Sequence, residues 1–425
     1  MFDTQGNTLY VDGVSTKDLA DAYGTPLYVY SEDKITNKLS EIRTHFLDKY
    51  PKTHAAYACK AFCTLYMCRL LNEQGFWLDV VSGGELFTAI KAGFPANRIE
   101  FNGNNKSIDE LEMALEYGVE RIVIDNVQEL YDVEALYRKS GRNVKVLFRI
   151  TPDVSTDTHA YISTAKKDSK FGIPLDEGIL YPLIQYAITS DTIDFLGFHF
   201  HVGSQLLNTR AHLGALEVIL ALMLETKKRF GYDVRDFNMG GGFGIKYTDQ
   251  DMPLSLSEFV DPIMSRLEAF CASNGLIRPH VSMEPGRFIV GDAGLQLYTV
   301  GNIKEIPEVK TYVSVDGGMT DNLRPGLYGA RYDAVLANKM DQPKVKEVAI
   351  SGKCCESTDI LIQSVTLPKP ETGDLLCVFS TGSYGYAMAN NYNKIPIPAV
   401  VVIKDGAPQL VVRRQTFMDM IQREI

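Results

Sequence analysis

The sequence contains no cluster of five or more lysine and arginine residues, and its formal net charge is −10. Proteins that bind nucleic acids or anionic membranes usually carry such a basic cluster. The sequence therefore disfavours both kinds of partner and favours small molecules or other proteins. It also has no apolar run approaching the roughly 18 residues that cross a bilayer. The opening residues, MFDTQGNTLYVDG, lack a basic stretch followed by an apolar segment, so we expect a cytoplasmic protein without membrane association.

The cysteines do not have the spacing of a zinc site. There are seven of them, an odd number, and no pair of CxxC motifs. Disulfides are rare in cytoplasmic proteins. We therefore interpret the cysteines as free thiols and expect no bound metal.

From about residue 55 onward, short β-rich runs alternate with longer stretches of helical periodicity. This alternation predicts βα units and a parallel sheet. Eight runs qualify as strands, and they end at Ala61, Ser82, Gly103, Asn126, Ile150, Val202, Gly240 and Pro285. Eight strands over about 230 residues predict a (β/α)8 barrel, whose usual length is about 250 residues.

After Gly286 the sequence changes to short β-rich runs such as LQLYTVG and KTYVSVDGG, separated by Gly, Pro and Asp. This pattern predicts an antiparallel β domain. TLYVDG and PLYVYS, within the first 30 residues, are also β-like, and we expect them to pair with the C-terminal strands. The predicted fold is α/β, with a barrel over residues 31–286 and a β domain over residues 1–30 and 287–425.

Polar residues stand at the ends of the predicted strands, where the active sites of such barrels lie. Lys60 ends the first strand, in YACKAF. A lysine in apolar surroundings loses hydration, so its pKa falls and its neutral amine can attack a carbonyl. The alternative is a lysine that only extends from a strand end to solvent.

Two further strand ends carry groups that suit a phosphorylated cofactor. MGGGFGIKY places Gly240, Gly241 and Gly242 after the seventh strand, where backbone N–H groups and the following helix N-terminus can bind phosphate. MEPGR ends the eighth strand with Glu284. A lysine, a phosphate-binding turn and a buried carboxylate are what pyridoxal phosphate requires. The glycine spacing does not match the dinucleotide-binding motif.

Ten segments of the sequence together resemble the diaminopimelate decarboxylase family. They are YACKAF, DVVSGGEL, FNGNNKS, THAYISTAKKDSKFGI, HFHVGSQ, MGGGFGIKY, EPGR, DGGMTDNLRPGLY, CCES and YGYAMANNYN. That family belongs to the pyridoxal-phosphate enzymes built on an alanine-racemase-like barrel with a β domain. The resemblance implies a homodimer with shared active sites. It also implies decarboxylation of meso-2,6-diaminopimelate to L-lysine, the last step of lysine biosynthesis.

The resemblance assigns roles to particular residues. Lys60 would carry the cofactor as an imine, and Cys355 would return a proton to the substrate from the neighbouring subunit. The residues implied to bind pyridoxal 5'-phosphate are Lys60, His201, Ser204, Gly240, Gly241, Gly242, Glu284, Gly286, Arg287 and Tyr384. Those implied to bind the substrate are Arg287, Arg324, Tyr328, Glu356 and Tyr384.

Other functions remain open from the sequence. A decarboxylase of ornithine, lysine or carboxynorspermidine would not need Arg324 and Tyr328 for a carboxylate at the far end of the substrate. A racemase would be expected to carry arginine in place of Glu284. A non-catalytic pyridoxal-phosphate-binding regulatory protein would resemble the barrel alone. The polar loop 153–170 is a candidate lid over the substrate.

Overall fold

A computed structural model describes residues 2–152 and 169–425, so most of the candidate lid lies outside the described residues. The chain divides into two compact units. The barrel unit consists of Leu39–Gly244 and Pro253–Gly286, and the β unit consists of Met1–Lys38, Ile245–Met252 and Arg287–Ile425. The domain limits predicted from the sequence, residues 31–286 for the barrel and residues 1–30 with 287–425 for the β domain, stay a prediction. Within the part of the chain that is described, no helix is both long and apolar enough to span a membrane.

The β-strands are short, and most of them are buried. In chain order they are β1 (Phe2–Gln5), β2 (Thr8–Val11), β3 (Val14–Ser15), β4 (Leu27–Ser31), β5 (Thr53–Ala58), β6 (Trp77–Val80), β7 (Ile99–Phe101), β8 (Arg121–Ile124), β9 (Val144–Arg149), β10 (Ile193–His199), β11 (Asp236–Asn238), β12 (His280–Met283), β13 (Gly294–Ile306), β14 (Lys310–Val315), β15 (Ala334–Leu336), β16 (Lys346–Ser351), β17 (Ile360–Leu367), β18 (Leu375–Val378), β19 (Ala399–Lys404) and β20 (Ala407–Val412).

The longer α-helices belong to the barrel unit. In chain order the α-helices of the described residues are α1 (Thr16–Tyr23), α2 (Glu32–Ile42), α3 (Leu65–Glu73), α4 (Gly83–Ala92), α5 (Ile108–Tyr117), α6 (Val127–Ser140), α7 (Glu177–Thr189), α8 (Arg210–Phe230), α9 (Leu256–Asn274), α10 (Arg287–Val290), α11 (Arg324–Tyr328) and α12 (Phe417–Ile421).

The barrel unit closes as predicted. Strands β5 to β12 form one ring in chain order, and every neighbouring pair is parallel. The eight predicted strands correspond to these eight, although each observed strand ends one to three residues earlier than its predicted run. The polar residues at the predicted strand ends therefore lie in the loops that follow the strands, which is the catalytic end of such barrels.

Local signals in the sequence set the ends of the barrel helices. Ser107 caps α5 by accepting a hydrogen bond from the backbone N–H of Glu110, and the Glu110 side chain accepts one from the N–H of Ser107. This reciprocal pair satisfies two donors that the first helical turn leaves free. Helix α8 ends at Gly231, which has a φ of 66°. Both features are predicted from the sequence and confirmed.

The β unit is built on one large sheet of mainly antiparallel strands. Its order is β17-β16-β14-β13-β4-β19-β20, with β18 joined to β13 and β15 joined to β18. The pairs β14–β16 and β4–β19 are parallel. PLYVYS contains β4, which lies between β13 and β19, so the prediction that this segment pairs with C-terminal strands is confirmed.

TLYVDG also belongs to the β unit, as predicted, but it does not pair with the C-terminal strands. This segment forms β2, which pairs with β1 and β3 in a separate three-stranded sheet. Tight turns at Gly6 and Gly13, both with positive φ, return the chain on itself at once. Local hairpins therefore set its strand pairing, and it is linked to the later chain by the hydrogen bond from the N–H of Leu9 to the carbonyl of Ala337, at 2.8 Å.

Candidate active site

Lys60 follows the first barrel strand but does not lie on it. Strand β5 ends at Ala58, and residues 59–61 form a single 3-10 turn in which Cys59 and Ala61 are buried. The side chain of Lys60 is exposed. The prediction of a lysine on a buried strand in apolar surroundings is therefore wrong, because the chain turns immediately after Ala58. Its charge instead faces acidic groups, since it lowers the pKa of Glu284.

Glu284 follows β12 and is a buried carboxylate whose Oε1 atom has three polar side-chain partners. Its Oε1 atom lies 2.9 Å from Nε2 of His199, and it accepts hydrogen bonds from the side-chain amides of Asn238 at 2.9 Å and Asn102 at 3.1 Å. The side chain is only 6% exposed. Three polar partners on one oxygen favour the ionised form of a buried carboxylate.

The charge state of Glu284 follows from a balance of opposing effects. Burial raises its pKa, but the hydrogen bond with His199 and the positive charge of Lys60 outweigh burial and leave the pKa below its usual value. Glu284 is therefore a carboxylate at neutral pH. A buried anion of this kind suits a cationic ring nitrogen.

His201 contacts the predicted glycine turn. Its Nδ1 atom accepts a hydrogen bond of 3.2 Å from the backbone N–H of Gly241. Burial, followed by repulsion from Lys60 and Arg149, keeps the pKa of His201 well below its usual value. The ring is therefore neutral, and a neutral ring with Nδ1 as acceptor carries its proton on Nε2. Ser204 lies half-buried three residues further along the chain.

The glycines after β11 are required by the close approach of neighbouring backbone. A Cβ atom on Gly241 would lie 2.1 Å from the carbonyl oxygen of Glu284, and one on Gly242 would lie 2.4 Å from that of Gly203. Larger residues would therefore displace the end of β12. The predicted contribution of a helix dipole is wrong, because the next helix begins only at Leu256.

A charged layer inside the barrel was missed by the sequence predictions. Asp79, Glu100 and Arg121 are each at most 2% exposed, and Glu100 accepts two hydrogen bonds from Arg121. The available signal was a charged residue within an otherwise apolar strand, as in IEF and RIVI. Asn102 and Asn238, which contact Glu284, carry a weaker signal because amides at strand ends are common.

The β unit contains a second cluster, made of two arginines and three tyrosines. Arg287 and Arg324 both donate to the hydroxyl of Tyr247, Arg324 at 3.0 Å, and Arg324 also donates to Tyr332 at 2.5 Å. The Tyr384 ring centroid lies 4.9 Å and 5.9 Å from the two guanidinium carbons. Both arginines are 7% exposed. The predicted residues Arg287, Arg324 and Tyr384 are thus close together.

This cluster suits an anion. Among the described residues, no carboxylate forms an ion pair with Arg324 within 4.0 Å. Although burial raises the pKa of Tyr247, the two arginines outweigh burial and lower it. A buried guanidinium held by tyrosine hydroxyls retains donors for a bidentate partner. Tyr328, half-buried, ends the short helix that begins with Arg324.

The two cysteines of CCES differ in their surroundings. Cys355 is exposed, and its backbone N–H donates to the side chain of Asn393 at 2.7 Å. Cys354 is buried, and burial together with the nearby Asp359 raises the pKa of its thiol to about 11. The carboxylate of Glu356 is exposed. Cys355 is therefore the thiol of this pair that another molecule can reach.

The structure places the predicted site residues in two groups. The barrel unit holds Lys60, His201, Ser204, Gly240, Gly241, Gly242, Glu284 and Gly286, and the β unit holds Arg287, Arg324, Tyr328, Cys355, Glu356 and Tyr384. Each group has its own chemistry: an amine beside a buried carboxylate in the first, and cations, phenols and a thiol in the second.

Comparison with known proteins identifies the class to which this barrel and its site belong. Residues 32–291 match the model of the pyridoxal-dependent decarboxylase family, pyridoxal binding domain. The chain is 47% identical over 421 residues to the diaminopimelate decarboxylase of Bacillus subtilis (strain 168), covering 99% of this chain and 96% of the relative. It is 40% identical to that of Staphylococcus aureus (strain COL), covering 98% and 97%.

A solved structure agrees with these relatives. The diaminopimelate decarboxylase of M. jannaschii, in complex with L-lysine, matches with a TM-score of 0.94 and 33% identity, covering 100% of this chain and 98% of that one. The fold and site are those of a pyridoxal-dependent decarboxylase. Within that class, the chain belongs to the diaminopimelate decarboxylase family.

The polar groups of the barrel unit fit pyridoxal phosphate, the cofactor of this family. Lys60 would provide a primary amine for the aldehyde, Glu284 an ionised carboxylate for the ring nitrogen, and the turn 240–242 backbone N–H groups for the phosphate. These are the three kinds of partner that the cofactor needs.

We expect Gly241→Ala to weaken binding of pyridoxal phosphate by about tenfold or more, because the added methyl must move the carbonyl of Glu284. The measurement is an absorbance titration of the apoenzyme with the cofactor. Gly84→Ala is the matched control, since the nearest atom to its Cβ lies at 3.7 Å. Equal cofactor affinity in both variants would contradict the role of the turn.

Proposed function

We propose that this chain is a carbon–carbon lyase that uses pyridoxal phosphate to convert meso-2,6-diaminopimelate to L-lysine and carbon dioxide. The observation that carries the proposal is the buried arginine pair on Tyr247, which suits a substrate with a carboxylate at its far end. The full-length similarity to proteins named diaminopimelate decarboxylase supports the same substrate. The expected cytoplasmic location is part of this proposal.

Each residue around the cofactor would have a task. When bound, pyridoxal phosphate supplies an electron sink that stabilises negative charge on the substrate carbon. Lys60 would hold the cofactor through its amine, and His201 would lie against its ring. The backbone of residues 240–242 would hold the phosphate, with Ser204, Gly286 and Arg287. Tyr384 would serve both cofactor and substrate.

Glu284 sets the strength of that sink. Its carboxylate, ionised by its own polar contacts, keeps a proton on the ring nitrogen. A protonated ring nitrogen withdraws charge far better than a neutral one. Substituting a neutral residue at this position would therefore slow loss of carbon dioxide more than it would weaken substrate binding.

The β unit selects the substrate. Arg287, Arg324 and Tyr328 bind the carboxylate at the end of the substrate that does not react, and Glu356 binds the ammonium beside it. Paired N–H donors of arginine match the two oxygens of a carboxylate, so a substrate that ends in an amine alone loses these bonds. This distinguishes diaminopimelate from lysine and ornithine.

Cys355 returns a proton to the carbon that has lost carbon dioxide. Its thiol is exposed, so it can serve the site of a second copy of the chain. We propose a homodimer in which each site combines the barrel unit of one subunit with Cys355 of the other. Burial of Cys354 makes it unsuitable for this role.

The first test is a substrate panel. Purified protein with pyridoxal phosphate should release carbon dioxide from meso-diaminopimelate and form L-lysine in equal amount. We expect L-lysine and L-ornithine to react at least about a hundredfold less efficiently in kcat/KM, because they lack the far carboxylate. Preferred turnover of either diamine precursor would overturn the substrate assignment, and absence of turnover with all three would overturn the activity.

Arg324→Met should raise KM for meso-diaminopimelate by about 10- to 150-fold with a smaller change in kcat, because one charged hydrogen-bonded contact is lost. Steady-state kinetics measures both constants. Arg331→Met is the control, since Arg331 is exposed and its hydrogen bond to Gln250, at 3.5 Å, is long. An unchanged KM in the Arg324 variant would exclude it from substrate binding.

Complementation tests the shared site. Lys60→Ala and Cys355→Ala should each be strongly impaired alone. Their co-expression should restore about a quarter of wild-type activity, because half of randomly assorted dimers are mixed and each mixed dimer has one intact site. Lys60→Ala with Glu284→Ala is the control and should not recover, since both changes affect the barrel unit. No recovery in the first pair, with dimers present in size-exclusion chromatography, would place Cys355 in the same subunit as Lys60.

A further inference from the structure

The interior of the barrel carries acidic and basic residues side by side. Asp79 on β6, Glu100 on β7 and Arg121 on β8 are directly paired in strand register, so their side chains share one layer of the barrel. All three are at most 2% exposed. Such layers are usually filled by branched apolar side chains. Burying charge is costly unless a specific arrangement compensates for it, so this layer calls for a physical explanation.

Two asparagines connect the layer to Glu284. The side-chain amide of Asn238 lies 3.2 Å from Oε1 of Glu100 and 2.9 Å from Oε1 of Glu284. The amide of Asn102 lies 2.6 Å from Oδ1 of Asp79 and 3.1 Å from Oε1 of Glu284. Glu284 is therefore coupled to two other buried carboxyl groups through a single side chain each.

The positive charge in this layer is insufficient for three carboxylates. Arg121 donates to Glu100 at 2.6 Å and 2.9 Å, but it also donates to Asp236 at 2.7 Å. Oxygens of Asp79, Glu100 and Glu284 lie within 4.8 Å of one another. Like charges this close in a buried site cannot all be ionised, so protons are retained within the group.

The balance of contacts decides which carboxyl groups keep protons. Burial raises the pKa of Glu100 from its ordinary 4.5 to about 8; Arg121 opposes this rise and Glu284 adds to it. Burial and then repulsion from Glu284 and Glu100 raise the pKa of Asp79 well above its usual value. The pKa of Glu284 is lowered by its hydrogen bond with His199 and by the charge of Lys60. The negative charge is thus concentrated on Glu284.

We propose that Glu100 carries a proton in the working enzyme and, through its side-chain hydrogen bond with Glu284, keeps the negative charge of this layer on Glu284, where the ring nitrogen of the cofactor needs it. Glu100 is then a positioning residue, because it acts through Glu284. This inference rests on the proposed function. The titratable and charged groups that act directly on Glu100 are Asp79, Arg121 and Glu284. The groups that act on these three neighbours are His54, Lys60, Arg149, His199, His201, Asp236 and His280.

Loss of the Glu100 proton has a definite consequence. Above about pH 8 a second buried negative charge appears beside Glu284. This charge raises the affinity of both Glu284 and the cofactor ring nitrogen for protons. The absorbance of the bound cofactor should therefore change with an apparent pKa near 8 in the wild type, and this transition should be absent in Glu100→Gln.

The proton itself can be observed without any catalysis. Infrared difference spectra, wild type minus Glu100→Gln, recorded with and without pyridoxal phosphate, should show a protonated carboxyl band at pH 7 that disappears near pH 8. Asp79, whose pKa is also raised, is present in both proteins and cancels in this difference. If the difference spectrum shows no such band, Glu100 is ionised and the proposal fails. If the variant does not fold, a wild-type cofactor absorbance without a transition near pH 8 would still overturn the proposal.

The pH dependence of folding stability gives an independent test of the protonation of Glu100. An unfolded Glu100 titrates at its ordinary pKa of 4.5, so between 4.5 and about 8 the folded chain holds one more proton than the unfolded chain. Raising the pH through this window therefore destabilises the wild type relative to Glu100→Gln. The difference in thermal unfolding midpoint should grow from pH 5 to pH 8. A constant difference over this range would indicate an ionised Glu100 paired with Arg121.

Glu129→Gln is the matched control for the cofactor spectrum. Glu129 is also a buried carboxylate of the barrel unit, but its partner is Lys106, at 2.5 Å. This variant should keep the absorbance transition near pH 8. The spectra and infrared bands do not depend on which substrate is used, so a failed substrate panel and a failed Glu100 assignment are distinguishable. Loss of the transition in the Glu129 variant as well would overturn the specific role of Glu100.

Discussion

The chemistry of the barrel unit depends on keeping one buried carboxylate ionised. Glu284 is almost fully buried directly after β12, where burial alone would raise its pKa and favour the protonated form. His199, Asn102 and Asn238 converge on one of its oxygens and make the anion the favoured form. His199 lies on β10 and Asn238 on β11, and Asn102 directly follows β7. Closure of the ring is therefore what brings them together, and the site could not form on any isolated βα unit.

The β unit also keeps buried groups ionised, but there the charge is positive. Two buried arginines lie around one tyrosine hydroxyl, and Arg324 has hydroxyl groups rather than carboxylates as partners. Phenols hold a guanidinium in place without neutralising it. The cluster thus remains cationic and retains capacity for an anion. A carboxylate partner from the protein itself would have competed with the substrate.

The sequence predicted the architecture because the signals for it are local and repeated. Eight β-rich runs, the capping box at Ser107 and the stop at Gly231 each depend on neighbouring residues alone. Family motifs then identified the residues at the strand ends. The turn that carries Lys60 was missed because three residues of 3-10 helix have the same composition as a strand end.

The charged layer was harder to predict because its contacts cross the barrel. Glu100 and Arg121 are near in sequence, but Asp236 and Asn238 are more than a hundred residues away from both. Only the closed ring shows that these side chains share a layer. An isolated charged residue within a buried strand predicts that a group of opposite charge lies close to it. The sequence alone does not reveal which residue provides that group.

The position of β4 determines when the β unit can be completed during synthesis. This strand emerges early from the ribosome, yet both of its neighbours in the sheet, β13 and β19, are made after the barrel strands. Until residue 404 has been translated, one edge of β4 has no partner. All eight barrel strands are available before then, and pairing of early strands with distant ones is intrinsically slow. The strand that covers this exposed, aggregation-prone edge near the beginning of the nascent chain, β19, is thus among the last to be made.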